Sequence, residues 1–208
     1  KYIQRECGMD KRYMEFLKCL DRRNENKDKC KEIDGEIIER FQEEMTIMIT
    51  DSSRFTSRTK KYGIIQFLSV LRETYHRLNE IIEGNGGTIV KEWADDIFAV
   101  FKNPTEALKC GLKMQKYLSD RNARVADPDQ FTICMGISHG KILYLGEDVF
   151  GDAVNTASKL GEDIASSDEV LLCENSYKLL ENNGEYAFEY IKGLEMSDVV
   201  FNYYKLDK

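Results

Sequence analysis

The chain has 208 residues, 42% of them apolar, and carries a formal charge of −7. That length suits one domain plus an appendage with an ample core, and the acidic balance argues against a broad basic face built to grip nucleic acid. No apolar run approaches the ~20 residues that span a bilayer and no signal segment opens the chain, so no membrane contact is expected from it.

Residues 1–44 are dense in charges of both signs, with helical spacing at Tyr13, Phe16, Leu17 and Leu20 and again at Ile33, Ile37, Ile38 and Phe41. The polar run Asp21–Lys31 and Gly35 separate the two patches. The segment reads as a helical linker and not as core, leaving 45–208 as the catalytic unit. From Met45 strands alternate with helices. Thr46–Thr50 is expected as a short buried strand, and Lys60–Glu83 as a long helix with Ile64, Leu68, Leu71, Tyr75, Leu78 and Ile82 on one face. Gly84–Gly87 ends that helix. Thr88–Lys91 and Ile97–Phe101 form a hairpin around Glu92–Asp96.

Asn103, Pro104 and Glu106 signal a second helix, with Ala107, Gly111, Met114 and Leu118 buried. A second hairpin pairs Thr132–Ser138 with Lys141–Leu145. A third helix covers Asp152–Ser166, Val170–Cys173 is a strand, and Tyr186–Tyr190 with Phe201–Leu206 close the sheet. The order βαββαβ with extra C-terminal strands predicts an α+β sandwich of the ferredoxin-like plan, its sheet mainly antiparallel and its helices on one face. Six cysteines (Cys7, Cys19, Cys30, Cys110, Cys134 and Cys173) form no CxxC pair, and only two histidines are present. Neither a zinc site nor a disulfide framework is signalled, and reduced thiols in a cytoplasmic setting are expected. A first residue of Lys, not Met, reads as the start of an excised fragment.

The chemistry concentrates in GGTIVKEWADDIFAVF, Gly86–Phe101, which puts a carboxylate pair in the turn between two apolar strands. A second acidic strand end, TIMITDSSRFT, is its natural partner. Two aspartates at the ends of neighbouring strands can hold two divalent cations about 3.5–4 Å apart, the arrangement that drives a hydroxyl onto phosphorus. Nucleotide chemistry is the expectation.

Four segments, ITDSSRFT, GGTIVKEWADDIFAVF, MGISHGKI and DVFGDAVNTASKL, stand in the order and approximate spacing of one family. Over Glu36–Leu206 the chain resembles the catalytic domain of class III nucleotidyl cyclases, and adenylate cyclases in particular. The resemblance implies a head-to-tail homodimer with active sites at its interface, making cyclic AMP and pyrophosphate from ATP with two Mg²⁺ or Mn²⁺ ions per site. It puts the metal-binding aspartates at Asp51 and Asp95, with the backbone carbonyl of Ser52 as a further ligand and Asp96 as a bystander. Phe55 and Thr56 are assigned to substrate binding. Asn155 matches the asparagine that positions ribose and transition state, and Lys192 a lysine for the terminal phosphates.

Base choice follows from hydrogen-bond polarity. Adenine offers an acceptor at N1 beside a donor at N6, and guanine the reverse, so selecting adenine takes a donor next to an acceptor. Lys91 and Asp148 occupy the family's base-reading positions and supply that pair, and a site built for one pattern rejects the other because buried groups go unpaired.

Two departures stand out. Lys159 replaces an arginine, keeping charge but losing the planar fork, and Ala94 replaces a glycine that would tolerate positive φ. They motivate an alternative, a catalytically weak or inactive cyclase-like regulatory module. A guanylate cyclase or a palm-type nucleotidyl transferase is a further alternative. Residues 1–44 are expected to transmit a signal from a missing upstream domain, whose parent protein could be membrane-attached.

Overall fold

The computed structural model describes residues 10–180, 184–196 and 199–207; Cys7 and the first residues of the charged N-terminal stretch lie outside them. Ile47, Met48 and Ile49 do not alternate with polar residues because their strand, β1 (Gln42–Ser52), is covered on both faces, and all three are fully buried. β1 lies between β3 (Asp96–Phe101) and β4 (Ile133–Tyr144) and is antiparallel to both. With β2 (Thr88–Trp93), β6 (Val170–Cys173), β7 (Phe188–Met196) and β8 (Val199–Leu206), the sheet order is β2-β3-β1-β4-β6-β8-β7. The short β5 (Val149–Phe150) pairs with β4. Among the described residues only β4 and β6 run parallel. The fold is α+β, and its β4-β1-β3-β2 half has the ferredoxin-like order.

Helices α4 (Ile64–Glu83) and α5 (Pro104–Asn122) cover one face through Leu78, Ile82, Leu108 and Met114. The other face is covered as well, which corrects the one-sided expectation. There α6 (Asp152–Ser158) packs Ala153, Val154 and Ala157 on Ile47, Ile49 and Val100.

Other boundaries differ for physical reasons. The expected helix Lys60–Glu83 breaks at Gly63, whose φ of 90° separates α3 (Phe55–Tyr62) from α4. The expected hairpin about Gly140 is one continuous strand, because the long β1 offers partners along its length and Gly140 pairs with Met45. The expected helix Asp152–Ser166 is α-helical only to Ser158 and continues as a π-helical turn, Lys159–Ile164. The seven-residue α7 (Glu174–Leu180) was too short to betray itself by periodicity.

The charged N-terminal segment does more than link. α1 (Lys11–Glu25) and α2 (Cys30–Phe41) form a hairpin with its own small core of Phe16, Cys19, Ile33, Ile37 and Phe41, closed by Leu145 of the sheet domain. Its ion pairs, such as Arg40 with Glu15 at 2.7 Å, are exposed and contribute little. Arg12 ties the hairpin to the sheet, donating from Nε to the Tyr144 carbonyl at 2.7 Å and from Nη2 to Glu43 at 2.6 Å. Among the described residues no helix is long and apolar enough to cross a membrane, and the five cysteines there form no disulfide.

Gly136 on β4 and Gly161 in the π turn let two backbones touch. A Cβ on Gly161 would stand 2.8 Å from the Ile49 carbonyl and 2.9 Å from the Gly136 nitrogen, and one on Gly136 would strike the Ala157 carbonyl. Gly136→Ala is therefore expected to destabilise the protein by about 3 kcal/mol in urea denaturation, since backbone cannot repack as a side chain does; a loss below about 1 kcal/mol would mean that the contact is not tight.

Candidate active site

Asp51 stands near the end of β1, paired in register with Cys134 of β4. Across from it, the β2–β3 hairpin turns through two residues, Ala94 and Asp95, between the paired Trp93 and Asp96. Ala94 has φ 53° while Asp95 stays outside the left-handed region, the pattern of a type II′ turn, whose first position favours glycine. The departure at Ala94 thus falls where alanine is strained.

Two contacts fix Asp95. The Tyr75 hydroxyl of α4 donates to the backbone carbonyl of Asp95, so a residue legible only as part of an apolar stripe anchors the turn. Ser52 Oγ donates to Asp95 Oδ2. Asp96, expected to stand aside, is close enough to feel the charge of Asp51. The π turn, docked by Gly161, brings Glu162 close enough for its charge to be felt by both.

Burial is the largest cause pushing the Asp51 carboxyl up to about 7, with Asp95 and then Glu162 adding repulsion. Burial likewise pushes Asp96 up to about 8, followed by Glu162, Asp51 and Asp95. Protons are thus retained where positive charge is lacking. Among the described residues no three acidic, histidine or cysteine side chains form a ready-made ligand set. The chemistry of the donors nevertheless fits hard divalent cations, which prefer carboxylate and carbonyl oxygen. Asp51 and Ser52 open onto a cavity of about 400 Å³ also lined by Ser53, Arg54, Ser166 and Ser167. Phe55 and Thr56 follow at the exposed start of α3.

Lys91 and Asp148, far apart in sequence, meet: Nζ donates to Oδ1 at 2.7 Å. A β-bulge makes this possible. Ile89 pairs with Ala99 but Lys91 pairs with Phe98, leaving Val90 as the extra residue. Without it Lys91 would oppose Ile97, in the core under α4; with it Lys91 turns to the α6 face.

Asn155 is exposed on α6, one turn before Lys159, which begins the π turn 4.0 Å from Asp163. Lys192 is exposed on β7, at the opposite sheet edge from the β2–β3 hairpin. Asp148 follows β4 where that strand pairs with the Gln42 end of β1, whereas Asp51 lies at the other end, nine residues or about 30 Å of strand away. Lys91, across Phe98 from Ile49, bridges from the hairpin of the aspartates to Asp148, while Lys192 stays at the far sheet edge.

Two outcomes are expected. Ala94→Gly relieves the turn and raises stability by about 0.5–1 kcal/mol in urea denaturation; a decrease would contradict the strained geometry. The raised carboxyls of Asp51 and Asp96 stabilise the folded state below their unfolded values, and that contribution is lost as pH rises through 7 and 8. The melting temperature of metal-free protein is thus expected to fall between about pH 5 and about pH 8, with Asp51→Asn shallower; a flat or rising wild-type profile would refute the crowding.

Residues 38–204 match the family model described as the adenylate and guanylate cyclase catalytic domain. Among curated relatives, the serine/threonine-protein kinase pkn2 of Myxococcus xanthus is 27% identical over 145 residues, 70% of this chain and 17% of that one. Adenylate cyclase 1 of Rhizobium meliloti is 26% identical over 137 residues, covering 58% of this chain and 21% of that protein. The chain thus spans less than a quarter of the length of either. Among solved structures, the adenylyl cyclase CyaB of P. aeruginosa superposes with a TM-score of 0.69 at 19% identity, over 80% of this chain and 95% of that one. The chain belongs to the adenylate and guanylate cyclase catalytic domain family, the class III nucleotidyl cyclases.

Proposed function

We propose that this domain is an adenylate cyclase that converts ATP to 3′,5′-cyclic AMP and pyrophosphate at the interface of a head-to-tail homodimer. The observation that carries the choice of base is the 2.7 Å contact between Lys91 and Asp148. A donor and an acceptor side by side match N1 and N6 of adenine. Guanine would set a donor against the ammonium and an acceptor against the carboxylate, leaving both unpaired. In this reading the aspartates of one protomer face Lys91, Asp148, Asn155 and Lys159 of the other.

In that site Asp51 and Asp95, with the Ser52 carbonyl, would hold two Mg²⁺ or Mn²⁺ ions. When bound, such cations draw the 3′-hydroxyl toward its alkoxide and neutralise charge on the departing pyrophosphate. Asn155 orients the ribose. Lys159 sets a positive charge against the phosphorus as it becomes five-coordinate, with less geometric control than an arginine fork. Lys192 reaches the terminal phosphates from its own sheet edge, and Phe55 and Thr56 border the substrate beside the aspartates. The domain is cytoplasmic in this reading, and the α1–α2 hairpin passes on a signal from an upstream domain.

Chromatography of products from ATP and GTP with Mg²⁺ or Mn²⁺ tests this. Cyclic AMP from ATP alone is expected, with specific activity rising with protein concentration and abolished by Asp51→Ala. Mixing Asp95→Ala with Asn155→Ala chains is expected to restore one working site per heterodimer. Cyclic GMP would overturn the base assignment, and absence of any product would favour a regulatory module.

A further inference from the structure

Without a nucleotide the two base-reading groups satisfy each other, and each has a second anchor. The Val149 N–H donates to Asp148 Oδ1 at 2.9 Å, beside the bond from Lys91. Lys91 has a different support: its ammonium stands 4.8 Å from the centroid of the Phe98 ring. Register creates the contact, because the bulge at Val90 makes Lys91 and Phe98 direct cross-strand partners on one face. Phe98 is itself fixed, packed on the cluster of Ile47, Ile49, Val90 and Val100 and paired with Ile49 of β1.

N1 and N6 are neighbouring atoms on one base edge, so an adenine that reads both groups shares the carboxylate between its N6 and the ammonium and loosens the ion pair. A lysine on a flexible four-carbon stem would then be free to swing. Building on the adenylate cyclase reading, we propose that Phe98 is a positioning residue for base selection, whose ring face holds the Lys91 ammonium at the N1 position while Asp148 takes N6. Attraction of an ammonium to an aromatic face is preserved when the ion pair loosens and needs no hydrogen-bond direction. The fixed ammonium also excludes guanine, since it is not free to leave the N1–H and seek O6. Discrimination thus comes from the pair of polar groups together with the ring that keeps one of them from following the wrong base.

Phe98→Leu keeps an apolar side chain but removes the ring, and Phe98→Tyr keeps the ring. Relative to wild type, Phe98→Leu is expected to raise KM for ATP about fivefold with a smaller change in kcat, and to lower the ATP-to-GTP ratio of kcat/KM by a similar factor. Phe98→Tyr is expected to retain both values. A merely structural defect would lower activity on the two nucleotides alike and leave their ratio unchanged. An independent reading uses nucleotide-free protein with lysine labelled at Cε and ¹H–¹³C spectra, the Lys91 signal being assigned by its loss in Lys91→Arg. The signal is expected upfield of other lysines in wild type and Phe98→Tyr and among them in Phe98→Leu. An unchanged ATP-to-GTP ratio in active Phe98→Leu, or a Lys91 signal that ignores the substitution, overturns the role of Phe98. A wild-type protein making no cyclic AMP overturns instead the reading on which it rests, and the lysine spectra still decide whether the ring holds the ammonium.

Discussion

Asp51 lies at the end of a strand buried on both faces, so its carboxylate cannot move away from Asp95, Asp96 and Glu162. Much of the surrounding architecture follows from holding that repulsion in place. β3 and β4 clamp β1 along its length, Tyr75 and Ser52 hold Asp95 in a turn that alanine fits poorly, and the Gly136–Gly161 contact presses the π turn against the sheet. A π turn inside a helix is itself a feature concentrated at functional sites. Here it changes the direction of the chain so that Glu162 reaches the acidic end. Burial and the neighbouring charges raise the proton affinity of Asp51 and Asp96.

The sheet's second face does different work. Its cluster under α6 supports Lys91 and Phe98 from one side and Val149 from the other, and the turn bearing Asp148 is gripped from outside by the N-terminal hairpin. Arg12 binds the Tyr144 carbonyl, the Asp10 N–H binds Glu147 at 3.0 Å, and Phe16 stacks on Phe150 with centroids 6.4 Å apart. Those contacts place α1 next to the turn that carries Asp148.

Much of this was legible from local pattern. Strand and helix identities along β1, α4, β2, β3 and α5 follow from apolar periodicity and from capping residues such as Asn103, whose side chain accepts the Glu106 N–H. The acidic strand ends at Asp51 and Asp95 stood out as well. What escaped was of two kinds. Gly63 and Gly140 carry the same letter, yet one breaks a helix and the other continues a strand, because only the partner strand β1 distinguishes them. Tyr75 read as one more apolar position, since a stripe reveals which face is buried but not where its hydroxyl points.

Residue order alone dictated the inventory: alternating elements, the carboxylates at Asp51 and Asp95, a lysine and an aspartate of the polarity adenine needs, and an alanine where a turn favours glycine. Tertiary structure decided the adjacencies. Lys91 meets Asp148 because one extra residue, Val90, flips the strand's facing, and Asp96 joins Asp51 because register sets them side by side. Glu162 arrives through a helical turn wound one residue wider than an α-helix. Each outcome hangs on a register or a winding that long-range packing selects, and a one-residue change in either sends a side chain to the opposite face.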